Sequence, residues 1–225
     1  MGQVIGQVLS LGVGVALSPL PIIAVVLLLT TPRARSTGPA FLTGWVLGPT
    51  VVGTIVLLVA QGIGPGGAQQ PADWVSVLHL VLGVALVGVA AREWRHRPRG
   101  TEQAALPRWM RAIETVTPLR AGAFGATMSS VNPKNLLLVV SAAAAIARTG
   151  ATAGGQAVAL AVFVVLAAVG TATPVALYFA LGERANHLLA ELKLWMGRNS
   201  SAITAVVCLV LAAKLVGDAV SGLSG

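Results

Sequence analysis

Six stretches of the chain are long and apolar enough to cross a lipid bilayer, near residues 4–30, 39–61, 74–92, 121–147, 155–181 and 200–221. A hydrocarbon core of roughly 30 Å takes about 20 residues of helix, and a lipid-exposed segment must satisfy its backbone polar groups internally, as a helix does. Six such stretches in 225 residues leave room for little else. The expectation is an all-α, polytopic membrane domain covering the whole chain. Hydrophobic residues make up 56% and charged ones 10%, with a mean hydropathy of +0.84, too little polar surface to coat a water-soluble globule. The first stretch has no cationic leader and carries prolines, so it reads as a retained helix, not a cleaved signal.

The formal charge of +8 is distributed by connection. One set of connections holds Arg33 and Arg35; Arg92, Arg95, Arg97, Arg99, Arg108, Arg111 and Arg120; and Arg184, Lys193 and Arg198, whereas the alternate set holds only Arg148. Cations are retained on the cytoplasmic side. Both termini are therefore expected outside a cytoplasmic (inner) membrane, and topology accounts for the basic charge without a nucleic-acid partner. Between 96 and 119, Leu106, Trp109, Met110, Ile113 and Val116 recur at helical spacing and predict a helix lying in the interface against anionic lipid. "RANHLLAELKLWMGR" repeats that pattern, or else extends the fifth helix beyond the bilayer. Cys208, the single cysteine, sits in an apolar run and reads as a small buried hydrophobe.

Two of the six stretches are interrupted near their middles. "ALSPLPII", Ala16 to Ile23, and "SSVNPKNLLL", Ser129 to Leu138, each place Ser or Asn before a proline, and Pro19 and Pro133 stand 114 residues apart. Three spans would then fall in each half, and a repeat with an odd number of spans inserts upside down relative to its copy. This predicts an inverted repeat: repeat 1 over about 1–95, a cytoplasmic amphipathic linker over about 96–119, and repeat 2 over about 120–225. Proline removes a backbone donor and clashes one turn back. Irregular backbone at membrane depth is tolerated only inside protein or beside a cavity, and paired breaks point to a transport site near the midplane. The candidate substrate-binding set is Ser18, Pro19, Pro21, Ser129, Ser130, Asn132, Pro133, Lys134 and Asn135, with the two breaks expected to line one cavity.

Lys134 sharpens that reading. A charge at the bilayer centre costs about 3 kcal/mol on insertion scales, and the only acids close to a span, Asp73 and Asp218, lie near the outer face. Its expected partner is a small anion, the headgroup of an anionic lipid or the freed carbonyls of the broken helix, with the Ser and Asn side chains as further donors. His79, Asp73 and Asp218 are candidates for a proton relay, and Lys214 with Asp218 for a helical i, i+4 pair. Gly44 and Gly48 suit close helix packing or a homodimer. No cluster of His, Cys or carboxylates suggests a metal, a cofactor or an acid and base pair, so enzymatic activity is not expected.

"LSLGVGVALSPLPIIAVVLLLTTPRAR", "AFLTGWVLG" and "SSVNPKNLLLVVSAAAAIA" together resemble the GAP family of actinobacterial membrane proteins, also called Sap or sulfolipid- and peptidoglycolipid-addressing proteins, over almost the whole chain. That family is placed in the lysine exporter (LysE) superfamily, similar in having six helices, two three-helix repeats and an Asn-Pro-Lys break in the second half, matched here by Asn132, Pro133 and Lys134. Ser18-Pro19-Leu20-Pro21 stands where amino-acid exporters tend to have Pro-Gly-Pro. The resemblance implies help in moving cell-envelope glycolipids outward. The alternatives are a proton-coupled exporter of amino acids or small solutes, and a non-transporting scaffold that recruits a lipid synthase or larger exporter through its basic loops.

Overall fold

The computed structural model describes residues 2–62, 73–95, 116–182 and 184–223, and every regular element among them is a helix. The helices are α1 (Gly2–Ala16), α2 (Pro19–Leu29), α3 (Ala34–Gly62), α4 (Asp73–Arg95), α5 (Pro118–Ser130), α6 (Pro133–Ala147), α7 (Ala153–Leu181) and α8 (Arg184–Leu223). The predicted all-α class is the one found. Ala34–Ala60, Ala153–Leu181 and His187–Ser221 are long and apolar enough to cross a bilayer, and the number rises to five if each bent pair, α1 with α2 and α5 with α6, is one span. The third predicted stretch is helical as α4 but is not among these, and its last turn carries Arg92 and Arg95.

Two boundaries differ from the sequence reading. "RANHLLAELKLWMGR" belongs to the last helix, not the fifth, because α7 stops where Gly182 takes φ 55, a left-handed conformation that glycine adopts without steric cost. The resulting α8 has 40 residues, about 60 Å at 1.5 Å per residue, and must project beyond a 30 Å hydrocarbon core. The predicted interfacial helix around Leu106, Trp109, Met110 and Ile113 lies outside the described residues.

The short helices α2 and α6 sit inside, and the long helices α3 and α7 present apolar faces outward. Nine of the eleven residues of α2 are buried, and Ala142 to Ala145 of α6 are at most 1% exposed; a helix apolar on every side is one that others surround. Facing outward, Leu47, Val51, Ile55 and Leu58 on α3 and Val158, Val162, Val165 and Val169 on α7 form exposed stripes at helical spacing, which suit lipid and not water.

Because lipid tails are as apolar as leucine, small residues that allow close backbone approach do much of the work of holding such helices together. A Cβ at Gly44 would overlap the carbonyl oxygen of Gly122, and one at Gly125 the carbonyl oxygen of Phe41. Gly44 and Gly48 are therefore spent on α5 of the same chain. The order of contacts, Ala40 with Gly122 and Gly48 with Ser129, makes α3 and α5 parallel. In the same way Gly12 meets Phe163 and Leu166 while Gly170 meets Ala16, so α1 and α7 are parallel. Trp45, 1% exposed, ties α3 to α7 by donating its Nε1–H to Ala167 O at 3.1 Å.

Candidate functional site

The prolines of the two breaks do not interrupt helices; they start them. Ser18 and Asn132 are the N-cap residues of α2 and α6, with Pro19 and Pro133 at the first helical position, where proline's fixed φ fits and its missing N–H is not needed. The chain bends by 48° between α1 and α2 and by 67° between α5 and α6. Each half-helix has 11 to 15 residues, about 16–22 Å, so a bent pair together has the length of one span.

A helix start leaves four N–H groups without a helical partner, a serious cost where no water reaches. At α2 the spacing of the two prolines removes half of that cost: Pro19 and Pro21 have no N–H, and the Ser18 N–H donates to Val15 O at 3.1 Å. This explains two prolines two residues apart. At α6 the side chain of Asn132 does the equivalent work, its Oδ1 accepting from the Lys134 N–H at 3.1 Å.

The junctions are joined to each other. The Ser18 hydroxyl donates to Asn135 Oδ1 at 2.9 Å, and Asn135 Nδ2 donates to Met128 O at 3.2 Å, near the broken end of α5. Ser18 is 5% exposed and Asn135 fully buried. Ser129 donates to Ala126 O at 3.0 Å. Pro19, Pro21, Ser129 and Lys134 are also buried, Ser130 and Asn132 are half-buried, and Pro133 is exposed. Each junction rests on a glycine of the other half. A Cβ at Gly48 would overlap the hydroxyls of Ser129 and Ser130, and one at Gly170 the carbonyl oxygen of Ala16. Gly170 was not singled out in the sequence, since a glycine in a long apolar run does not declare what it packs against.

Lys134 is 4% exposed, and its Nζ has no hydrogen-bond partner among the described residues. It occupies the second position of α6, where the positive end of the helix dipole adds to the cost of an ammonium. α4 continues to Arg95, so Glu93 belongs to the helix and is half-buried there. A groove of about 560 Å³ runs between α1 and α8, lined by Leu9, Ser10, Val13, Leu17, Val207 and Leu211 among others. Leu17 is its last lining residue on this side, and neither Ser18, Lys134 nor the second junction lines it, so it is not the shared cavity expected from the sequence.

The relay candidates lie elsewhere. His79 is fully buried in α4, and Asp218 is half-buried on α8; the side chain of Asp73 lies outside the described residues. Lys214 reaches across to α1, its Nζ 3.5 Å from Ser10 Oγ.

Two bent helix pairs joined through Ser18 and Asn135, among long apolar helices with outward stripes of valine and leucine, define a multi-pass membrane protein. The chain belongs to the Sap family: the family model described as Sap, sulfolipid-1-addressing protein, matches residues 8–221. Searches of curated proteins and of solved structures found no match. The family's description points to lipid export and names no reaction.

Proposed function

We propose that this protein moves an anionic envelope glycolipid across the cytoplasmic membrane, with the headgroup handled at the paired junctions and acyl chain carried in the α1–α8 groove. The observation that carries this reading is the Ser18–Asn135 bond between two half-helix starts, because a joint between broken helices can open and close without unfolding either half. The headgroup set is Ser18, Ser129, Ser130, Asn132, Lys134 and Asn135, shaped by Pro19, Pro21 and Pro133. Support for an acyl path comes from the groove, whose lining is apolar except for Ser10 and includes Leu17, the residue before Ser18.

An inverted repeat of six spans, with α4 as the third, is part of the proposal. Under an inverted two-fold the pair α3 and α5 exchanges with the pair α7 and α1, and both pairs are parallel. Gly48 and Gly170, which seat the two junctions, are 122 residues apart, as are Trp45 and Ala167, which bond to each other. Such repeats rock against one another around a fixed central site.

Envelope lipidomics of a deletion strain is the test, with each glycolipid compared between inner and outer pools. A transporter predicts that substitutions of Lys134 or Asn135 fail to restore export while neutralised basic loops restore it. The reverse pattern would instead identify a scaffold for a lipid synthase or larger exporter, and would overturn the reading.

Orientation follows from the same reading, with both termini outside. In a Cys208→Ala background, an impermeant thiol reagent applied to intact cells is expected to label Ala153→Cys and spare Ser36→Cys. Labelling of Ser36→Cys with protection of Ala153→Cys would invert the topology.

A further inference from the structure

Lys214 is half-buried within the last span, and its side chain reaches across to α1, where Nζ donates to Ser10 Oγ at 3.5 Å. The Ser10 hydroxyl gives its own proton to Gly6 O at 2.7 Å, so it meets the ammonium with lone pairs only. An ammonium carries three N–H donors, and among the described residues one of them is spent, over a long distance, on Ser10. An ionisable residue inside a span points to function and asks for a named partner. Ser10 is also the single polar side chain lining the α1–α8 groove, so the cation stands at the polar end of that groove.

Two contacts fix how the groove runs. Ser10 meets Lys214, and a Cβ at Gly14 would overlap Leu211 Cδ1, so α1 and α8 are antiparallel and Gly14 is what lets them approach. Leu9, Val13 and Leu17 on α1 and Val206 and Val210 on α8 recur every four residues as exposed walls. Lys214 continues the α8 wall by one more turn. From Leu9 to Leu17 the groove extends about 12 Å at 1.5 Å per residue, close to the roughly 15 Å of one leaflet of a 30 Å core. Its volume of about 560 Å³ falls within the roughly 300–1,000 Å³ of sites that enclose small ligands. The cation stands at the end nearer both termini, and Asp218 lies one turn past it, about 6 Å further along α8 from the groove.

We propose that the α1–α8 groove is a seat for one anionic lipid of the outer leaflet, with its headgroup anion on Lys214 and an acyl chain lying between the helices toward Leu17. Charge complementarity selects the occupant. A lipid with an uncharged headgroup leaves the ammonium with Ser10 alone, whereas a phosphate or sulfate oxygen supplies the acceptor that its remaining N–H groups lack. A free anion would satisfy the lysine and leave the apolar walls unused. With both termini outside, the order of the parts, charge at the terminal end and apolar walls beyond it, is that of a lipid whose headgroup faces outward. Lys214 is thus an anion anchor separate from Lys134, which does not line the groove. The seat deepens the transport reading, on which it rests for its purpose: a lipid handled at the junctions is held here before it leaves the protein.

The test measures binding without translocation, so it can fail while transport stands, and the reverse. The purified full chain in detergent is given a probe of phosphatidylglycerol or of uncharged galactosyl diacylglycerol, with identical acyl chains of which one carries a photoactivatable diazirine. Labelled peptides are then mapped by mass spectrometry. Peptides spanning 9–17 and 206–211 are expected to take at least tenfold more label from the anionic probe than from the uncharged one. Lys214→Met and Lys214→Gln should each bring the anionic probe down to the uncharged level. Lys193→Met, which removes the same charge from the other half of α8, should not. Val210→Trp, which fills the groove, should lower labelling by both probes. Equal labelling of the parent by the two probes, a tenfold preference kept by a folded Lys214 variant, its loss in Lys193→Met, or groove labelling unchanged in Val210→Trp would each overturn the proposal.

Discussion

Lys134→Met is expected to reduce lipid export to the level of a strain lacking the protein, while the purified variant melts at a higher temperature than the parent. The side chain is 4% exposed, its Nζ has no partner among the described residues, and it lies at the positive end of α6. Charge at such a depth costs about 3 kcal/mol on insertion scales, and methionine of similar length removes that cost while filling the space. Residues that lower stability in their resting environment are retained where function needs them. Lys134→Arg should also fail, because a planar guanidinium cannot replace a compact point charge in a closed space. Export normalised to membrane protein level and melting in detergent are the two readouts. Export retained by Lys134→Met would remove this residue from the mechanism.

Gly170→Leu and Gly48→Leu are expected to destabilise the bundle by about 3 kcal/mol each, near the upper end for overpacking. At Gly170 even a Cβ would overlap the carbonyl oxygen of Ala16, and at Gly48 it would overlap the hydroxyls of Ser129 and Ser130. Backbone cannot swing aside as a long side chain can, so the junction itself must move. Gly88→Ala is the control. Nothing lies within 4 Å of a Cβ there, and the exchange should be neutral or gain up to about 1 kcal/mol from helix propensity. Melting of the three variants side by side checks the contrast; a Gly170→Leu protein that melts with the parent would mean that α1 and α7 do not pack as described.

Helix positions were legible because lipid enforces them. Stretches of 20 apolar residues have one backbone solution inside a bilayer unless they close a barrel; Ser18-Pro19 and Asn132-Pro133 mark where the runs break, but in the sequence the prolines look like interruptions, whereas they stand at helix starts. Partners were less legible. Ser18 and Asn135 are 117 residues apart, and periodicity says which face of a helix is apolar, not what it meets. The amphipathic pattern of 184–198 fits an interfacial helix and a helix extension equally, and only Gly182 with φ 55 settles which span it joins. Glu93 sits just past the predicted end of its span, where a shift of three residues decides whether a carboxylate is in a loop or in the helix.

The central claim is that the Ser18–Asn135 joint is the working part of a lipid transporter. Its most direct test is translocation of a fluorescent sulfated glycolipid between leaflets of liposomes holding the purified protein, followed by quenching of the outer leaflet. Translocation well above protein-free liposomes, falling at least tenfold in Asn135→Ala at equal protein incorporation, is the result predicted. A parent protein no faster than empty liposomes, or an Asn135→Ala variant as fast as the parent, would contradict it.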